Sequence, residues 1–167
     1  MMFPMKILLA TDGSAEAGRA AQMAVEFSER LDSELHVVHV APVPSAYSVP
    51  ESLVCDPEFY ERMRDFAGRE SRVRLDEEVM KVGSMGEVAG AHARVGRPDV
   101  EILRLAEKLG VGLIVVGSRG LGPIRRALMG SVSDSVVRHA HCPVLVVRSA
   151  TRDEDVPVRR AERRARV

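Results

Sequence analysis

Short apolar runs alternate with segments of helical period along most of the chain. Lys6-Ile-Leu-Leu-Ala10 is a continuous apolar run of the kind a strand buried on both faces requires. Ala17, Ala20, Ala21, Ala24, Phe27, Ser28 and Leu31 then recur at helical spacing, with Ser14 as N-cap or Asp12 sharing that role. Glu34 to Val40 predicts a second strand, and Ala41 to Cys55, with Pro42, Pro44 and Pro50, predicts a loop. Asp56-Pro57 opens a second helix, with proline at the favoured first position. Phe59, Met63, Phe66, Val73 and Met80 are its expected inner stripe, and it ends near Gly83–Gly86.

Glu87 to Arg94 reads as a weak third strand, interrupted by Gly90. A third helix follows the turn Gly96–Asp99, with Ile102, Leu103, Ala106 and Leu109 inward and Gly110 as its C-terminal cap. Leu113 to Val116 is the clearest strand. A glycine-rich loop, Gly117 to Gly130, separates it from a fourth helix, Ser131 to Ala140, with Val132, Val136, Val137 and Ala140 on one side. Val144 to Val147 is the last strand. Residues 150–167 are nearly devoid of apolar side chains and are expected to form a charged tail outside a domain spanning 1–149.

Strands alternating with helices imply an α/β fold with a parallel sheet covered on both faces and right-handed crossovers. Open sheets of this kind bind ligands beyond the carboxyl ends of their strands, where the strand order reverses. The loops after the first strand (Thr11, Asp12, Gly13) and after the fourth (Gly117 to Gly130) are therefore the candidate site.

Composition narrows the classes. The chain has 167 residues, 24 Lys+Arg against 24 Asp+Glu, and only 4% aromatic residues with no Trp. A chain of ~150 residues buries roughly 70% of its unfolded surface, enough for a real core. Balanced charge leaves no electrostatic footprint for nucleic acid, and base-stacking platforms have few aromatics to draw on. The N-terminus lacks the features of a secretion leader, and no run approaches the ~20 apolar residues of a membrane span. Cys55 and Cys142 are too few for a disulfide framework. A cytoplasmic protein is expected.

The common nucleotide fingerprints fail. The first turn, Ala-Thr-Asp-Gly-Ser-Ala-Glu-Ala-Gly, is not G-x-G-x-x-G, and no G-x-x-x-x-G-K-[ST] exists. What remains is Gly117-Ser-Arg-Gly120, continuing to Gly130-Ser131-Val-Ser133. Glycines permit close backbone approach, and a helix N-terminus offers orphan donors and partial positive charge, which suits phosphate. Ser131 and Ser133 add hydroxyls, while Arg119, Arg125 and Arg126 can neutralise phosphate charge. On glycine count alone, a flexible loop before a Ser-capped helix fits equally well.

The spacing G-x2-G-x9-G-[ST], met in full by Gly117, Gly120, Gly130 and Ser131, resembles the motif of the ATP-binding branch of the universal stress protein family. Lys6 to Ser14, Leu35 to Val40, Leu113 to Gly120 and Cys142 to Val147 are similar to that family's strands and loops, in order, over roughly residues 5 to 148. The resemblance implies a three-layer sandwich with a five-stranded parallel sheet of order 3-2-1-4-5, Rossmann-like and of the adenine nucleotide alpha-hydrolase type. It implies that Asp12 contacts ribose or phosphate and that Val40 contacts adenine. Gly117, Gly120, Gly130, Ser131 and Ser133 would hold ribose and phosphates, with Thr11, Arg119 and Val132 completing the set. ATP with Mg²⁺ on its phosphates is the expected ligand, and a homodimer through Val144–Val147 the expected assembly. Two departures stand out: Arg97-Pro98 replaces the family's usual Asp-Pro, and the 41–55 segment and the tail do not map onto it.

Other candidate residues read as structure. His36, His39, His92, His139 and His141 lack metal-ligand spacing, and Cys142 sits at the start of a buried strand. Met80, Met85 and Met129 are expected to be packing residues. Asp12 is the only carboxylate expected near both loops, and hydrolysis needs a base, an oriented water and usually a metal. Regulatory ATP binding is therefore favoured over a slow hydrolase, with an electron-transfer-flavoprotein-like subunit as a distant alternative.

Overall fold

A computed structural model describes residues 6–43, 56–118 and 129–148. In chain order the elements are β1 (Lys6–Thr11), α1 (Ala15–Leu31), β2 (Glu34–Ala41), α2 (Pro57–Gly83) and β3 (Gly90–Val95), followed by α3 (Pro98–Leu109), β4 (Leu113–Gly117), α4 (Ser131–His139) and β5 (Val144–Val147). All strand pairs are parallel, and the sheet runs β3-β2-β1-β4-β5. The expected order 3-2-1-4-5 is the observed one.

The continuous apolar strands are explained by two cores. Ile7, Leu9, Leu35, Val37 and Val115 face α1 and α2, while Leu8, Val38, Ile114 and Val116 face α3 and α4. Successive side chains leave opposite faces of a strand, so a sheet covered twice needs apolar residues at both parities. α1 presents Ala17, Ala20, Ala21 and Ala24 to the sheet, which lets its backbone lie close. Ser14 caps it by accepting from the Ala17 amide. Asp56 caps α2 through the Glu58 amide, and Gly110 closes α3 in the left-handed region at φ 64°.

Four expectations are corrected. The inner face of α2 is Ala67, Ser71, Leu75, Glu78 and Val82. Of the expected stripe, Phe66, Val73 and Met80 stand 57%, 58% and 76% exposed, and Met85 is exposed as well. Leu75 and Val82 enter the core under the sheet and set the rotation of the helix, which turns Phe66, Val73 and Met80 outward. β3 begins at Gly90, three residues later than expected, because residues 84–89 are needed to return from α2. A side chain at Gly90 would meet His36 Nδ1, so glycine there makes room for that ring. In α3 the residue missed is Leu105, fully inward beside Ile102 and Ala106. In α4, Val137 is exposed, since it lies a third of a turn beyond the buried Val136.

Candidate functional site

The order reverses between β1 and β4, and Thr11, Asp12 and Gly117 lie at the carboxyl ends of these strands. Thr11 pairs with His39, Ala10 with Val116 and Gly117 with Val147, so Thr11, His39 and Gly117 lie at one level across the sheet. Val40 is one residue beyond His39, half-buried against the α3–α4 core. Asp12 follows Thr11 directly, and its Oδ1 accepts from the Ser14 amide at 3.0 Å. Gly13 turns the chain at φ 79°, a conformation that favours glycine.

The two loops touch through backbone. A Cβ on Gly117 would lie 3.0 Å from the Glu16 carbonyl carbon and 3.1 Å from the Ala17 nitrogen. Gly117 is therefore glycine because the first turn of α1 crosses it, which brings the β1–α1 turn against the end of β4. Ser118 N donates to Val147 O at 2.7 Å, and Gly130 N donates to Ser118 O at 2.7 Å. Arg119 and Gly120, and with them Arg125 and Arg126, lie outside the described residues.

α4 starts at Gly130 without a side-chain cap. Gly130 itself has φ −73° and ψ 156°, extended backbone that any residue adopts, and its amide is already given to Ser118. Among the described residues, the amides of Ser131, Val132 and Ser133 in the first turn meet no acceptor, whereas that of Gly130 is given to Ser118. A helix leaves its first amides without intrahelical acceptors, and its N-terminus carries partial positive charge. The Ser133 hydroxyl is buried and lies 3.0 Å from Gly130 O and 3.2 Å from Ser118 O, so it fastens the loop base. Ser131 is exposed and Val132 half-buried at the same helix end.

A second carboxylate stands beside this turn. Thr11 Oγ1 donates to Glu78 Oε2 at 2.8 Å, and Lys81 Nζ donates to Glu78 Oε1 at 2.6 Å. That hydrogen bond holds the Lys81 ammonium above its ordinary pKa. Glu78 escaped the sequence reading because the expected stripe lay on another face; Leu75 and Val82, three before and four after it, are the signal that could have found it. Near it, His39 Nδ1 lies 2.9 Å from Ser71 Oγ, whose own proton goes to His39 O at 3.1 Å. Burial lowers the His39 pKa, Asp12 and Glu78 pull it up, and Arg74 adds to the lowering.

His36 and His92 meet across β2 and β3, Nδ1 to Nε2 at 3.2 Å, a contact between strands that local spacing does not reveal. Among the described residues no group of three or more His, Cys, Asp or Glu is placed to hold a metal. Burial pushes the Cys142 thiol up, away from reactive thiolate character. No helix among the described residues is long and apolar enough to cross a membrane.

Comparison with known proteins agrees with this architecture. The universal stress protein family model matches residues 4–148. A putative universal stress protein of Staphylococcus haemolyticus, SH1215, is 38% identical over 156 residues, covering 89% of this chain and 87% of that protein. Among solved structures, the hypothetical protein MJ0577, the subject of a structure-based assignment of biochemical function, superposes with TM-score 0.72 at 27% identity. That match covers 89% of this chain and 98% of MJ0577. The universal stress protein of Archaeoglobus fulgidus in complex with dAMP shares the fold at TM-score 0.54 and 22% identity, covering 88% and 99% of the two chains. The chain belongs to the universal stress protein family.

Proposed function

We propose that this protein is a regulatory module that binds ATP at the carboxyl end of the sheet between β1 and β4. The observation that carries the reading is the start of α4: a first turn, Ser131 to Ser133, with no side-chain cap among the described residues, tied through Gly130 and Ser118 to the end of β4 at the switch point. The phosphates lie against those amides, Asp12 takes the ribose, and Val40 offers an apolar edge to the adenine. Adenine nucleotide binding by the Archaeoglobus fulgidus protein, which carries dAMP, accords with this reading.

Mg²⁺ would travel with the phosphates, since the described residues supply no three-ligand cage for it. Bound there, it neutralises phosphate charge and leaves the chain to orient the nucleotide. The reading is binding with at most slow hydrolysis, because the carboxylate of Glu78, beside the β1–α1 turn, is held by Thr11 and Lys81. The cytoplasm is the compartment that supplies such a ligand. β5 ends the sheet among the described residues, and its outer edge is the surface for a homodimer.

Calorimetric titration with ATP, with and without Mg²⁺, tests the assignment on wild type and Gly130→Val. Wild type should take up ATP, and the variant should lose it with its thermal unfolding retained. Since Gly130 has ordinary backbone angles, that loss would report crowding of the phosphates rather than strain. Absence of heat at millimolar ATP, with no nucleotide released from the denatured protein, would overturn the reading.

A further inference from the structure

A carboxylate on the inner face of a helix is costly unless its oxygens are paired. Glu78 is only 6% exposed, yet it shares its face with Leu75 and Val82, where an apolar residue would pack. Both its oxygens are used. Lys81 meets Oε1 from the surface side, and Thr11, 67 residues away in the chain, donates to Oε2. Thr11 is itself buried, so its hydroxyl is not a surface group.

The link continues past Thr11. Once the single hydroxyl proton is given to Glu78, the oxygen's lone pairs are free to accept, and Gly13 N donates to it at 3.2 Å. Gly13 is the left-handed residue of the turn, and a Cβ placed on it would lie 3.7 Å from Glu78 Oε1. The adjacent Asp12 is oriented by its own bond from the Ser14 amide. A second polar tie, Ser71 to His39, fastens α2 to the neighbouring strand end. Helix α2 thus grips the carboxyl end of the sheet by hydrogen bonds, and one of them runs on into the turn.

We infer that Glu78 is a positioning residue for the nucleotide-binding turn: through Thr11 it fixes the Gly13 amide, and so ties the seating of α2 to the shape of the turn that carries Asp12. The inference rests on the proposed ATP site only for its consequence in affinity; the link itself exists without nucleotide. Without the Glu78 acceptor, the Thr11 χ1 rotamer loses its anchor, and the oxygen that accepts from Gly13 is no longer held in place. Glutamine at 78 keeps the size and, with its carbonyl toward Thr11, preserves the link; its NH2 then faces Lys81, which is exposed and swings into solvent.

The experiment uses the full chain as Glu78→Leu, Glu78→Gln, Thr11→Val and the double Glu78→Leu/Thr11→Val. Solvent exchange of the Gly13 amide is read by NMR without nucleotide, and ATP affinity by calorimetry. Glu78→Leu and Thr11→Val should each speed Gly13 exchange and weaken ATP by about three- to tenfold, the worth of one hydrogen bond. Glu78→Gln should stay near wild type in both, and the double variant should be no weaker than the worse single, since one link is broken once. Losses that add in the double variant, or Gly13 exchange unchanged in Glu78→Leu, would overturn the inference. If Glu78→Leu fails to fold, Thr11→Val decides from the other end of the link: unchanged Gly13 exchange there overturns it. Wild type that takes up no ATP would sink the nucleotide reading alone, and the exchange measurements would still decide on Glu78.

Discussion

The amide of Gly130 donates to the carbonyl of Ser118 at 2.7 Å, which fastens the end of β4 to the start of α4 across the glycine loop. Ser133 Oγ lies within reach of both Ser118 O and Gly130 O and reinforces that closure. Ser133→Ala should lower stability in urea by about 0.5–1.5 kcal/mol, the usual worth of one hydrogen bond. The loss stays small because Ser118 O keeps its bond from Gly130. An unchanged urea midpoint would mean that the hydroxyl holds nothing.

Gly117 faces a harder constraint. The neighbours of a Cβ there are backbone atoms of Glu16 and Ala17, which cannot swing aside as a side-chain tip would. Gly117→Ala should cost about 1–3 kcal/mol, the scale of overpacking a tight contact. Because the first turn of α1 must retreat, ATP uptake should weaken together with the melting temperature. Full stability in this variant would show that α1 has room to spare.

Much of this was legible in the sequence, for identifiable reasons. The strands were readable because a sheet buried on both faces demands uninterrupted apolar runs such as Ile7-Leu-Leu9 and Leu113–Val116. The site was readable as a place because Thr11 and Gly117 end adjacent strands at the reversal of order. Its chemistry was only half readable. Gly130 was expected as a donor to phosphate, but its amide is used within the protein, which shifts the available donors to the next three residues. Glu78 was hidden because hydrophobic periodicity discards a carboxylate, and its partner Thr11 is remote in the chain.

The corrected face of α2 gives a direct test. Phe66 and Met80 stand in solvent, so Phe66→Ser and Met80→Gln should each change stability by less than about 0.5 kcal/mol. Leu75 is fully buried between α2 and the sheet, and Leu75→Ala should cost about 2–5 kcal/mol. Chemical denaturation of the three variants separates the two faces, and a large loss from Phe66→Ser would restore the original stripe.

The proposed homodimer has a sharper probe than a change of side-chain charge. Ile114 N donates to Pro143 O and Ser118 N to Val147 O, so alternate residues of β5 face β4. Val144 and Val146 therefore turn their N–H groups away from β4, toward the outer edge. The side chain of Val146 packs on the α3–α4 core, so Val146→Lys would damage the core along with the edge. Val146→Pro removes the outward donor and spares the ladder to β4, as edge strands tolerate. Sedimentation should show wild type dimeric and Val146→Pro shifted to monomer. A wild type that stays monomeric at high concentration would sink the assembly.

The response to acid follows from histidines held neutral. Burial lowers the pKa of His39 and of His92 below the ordinary 6.5, and for His92 the neighbours His36, Arg94 and Lys108 lower it further. The unfolded chain then binds more protons than the folded one as pH falls through this range. Their stabilising contribution is complete above 6.5 and is lost as pH drops through the lowered folded values. Asp99 acts in a separate window. Burial works to raise its pKa, but hydrogen bonds from Arg97, Ser135 and the Val100 amide outweigh it and leave the pKa below 3.8. Its contribution is present above 3.8 and fails only in stronger acid. The urea midpoint should therefore hold level from about pH 8 to pH 7 and decline from about pH 6.5 downward, before any carboxylate is protonated. His92→Gln should flatten that decline, because an amide in its place does not titrate. It should leave the acid-limb loss near Asp99 unchanged. A decline equally steep in His92→Gln and wild type would assign the acid sensitivity elsewhere, with His39→Gln as the next variant to compare.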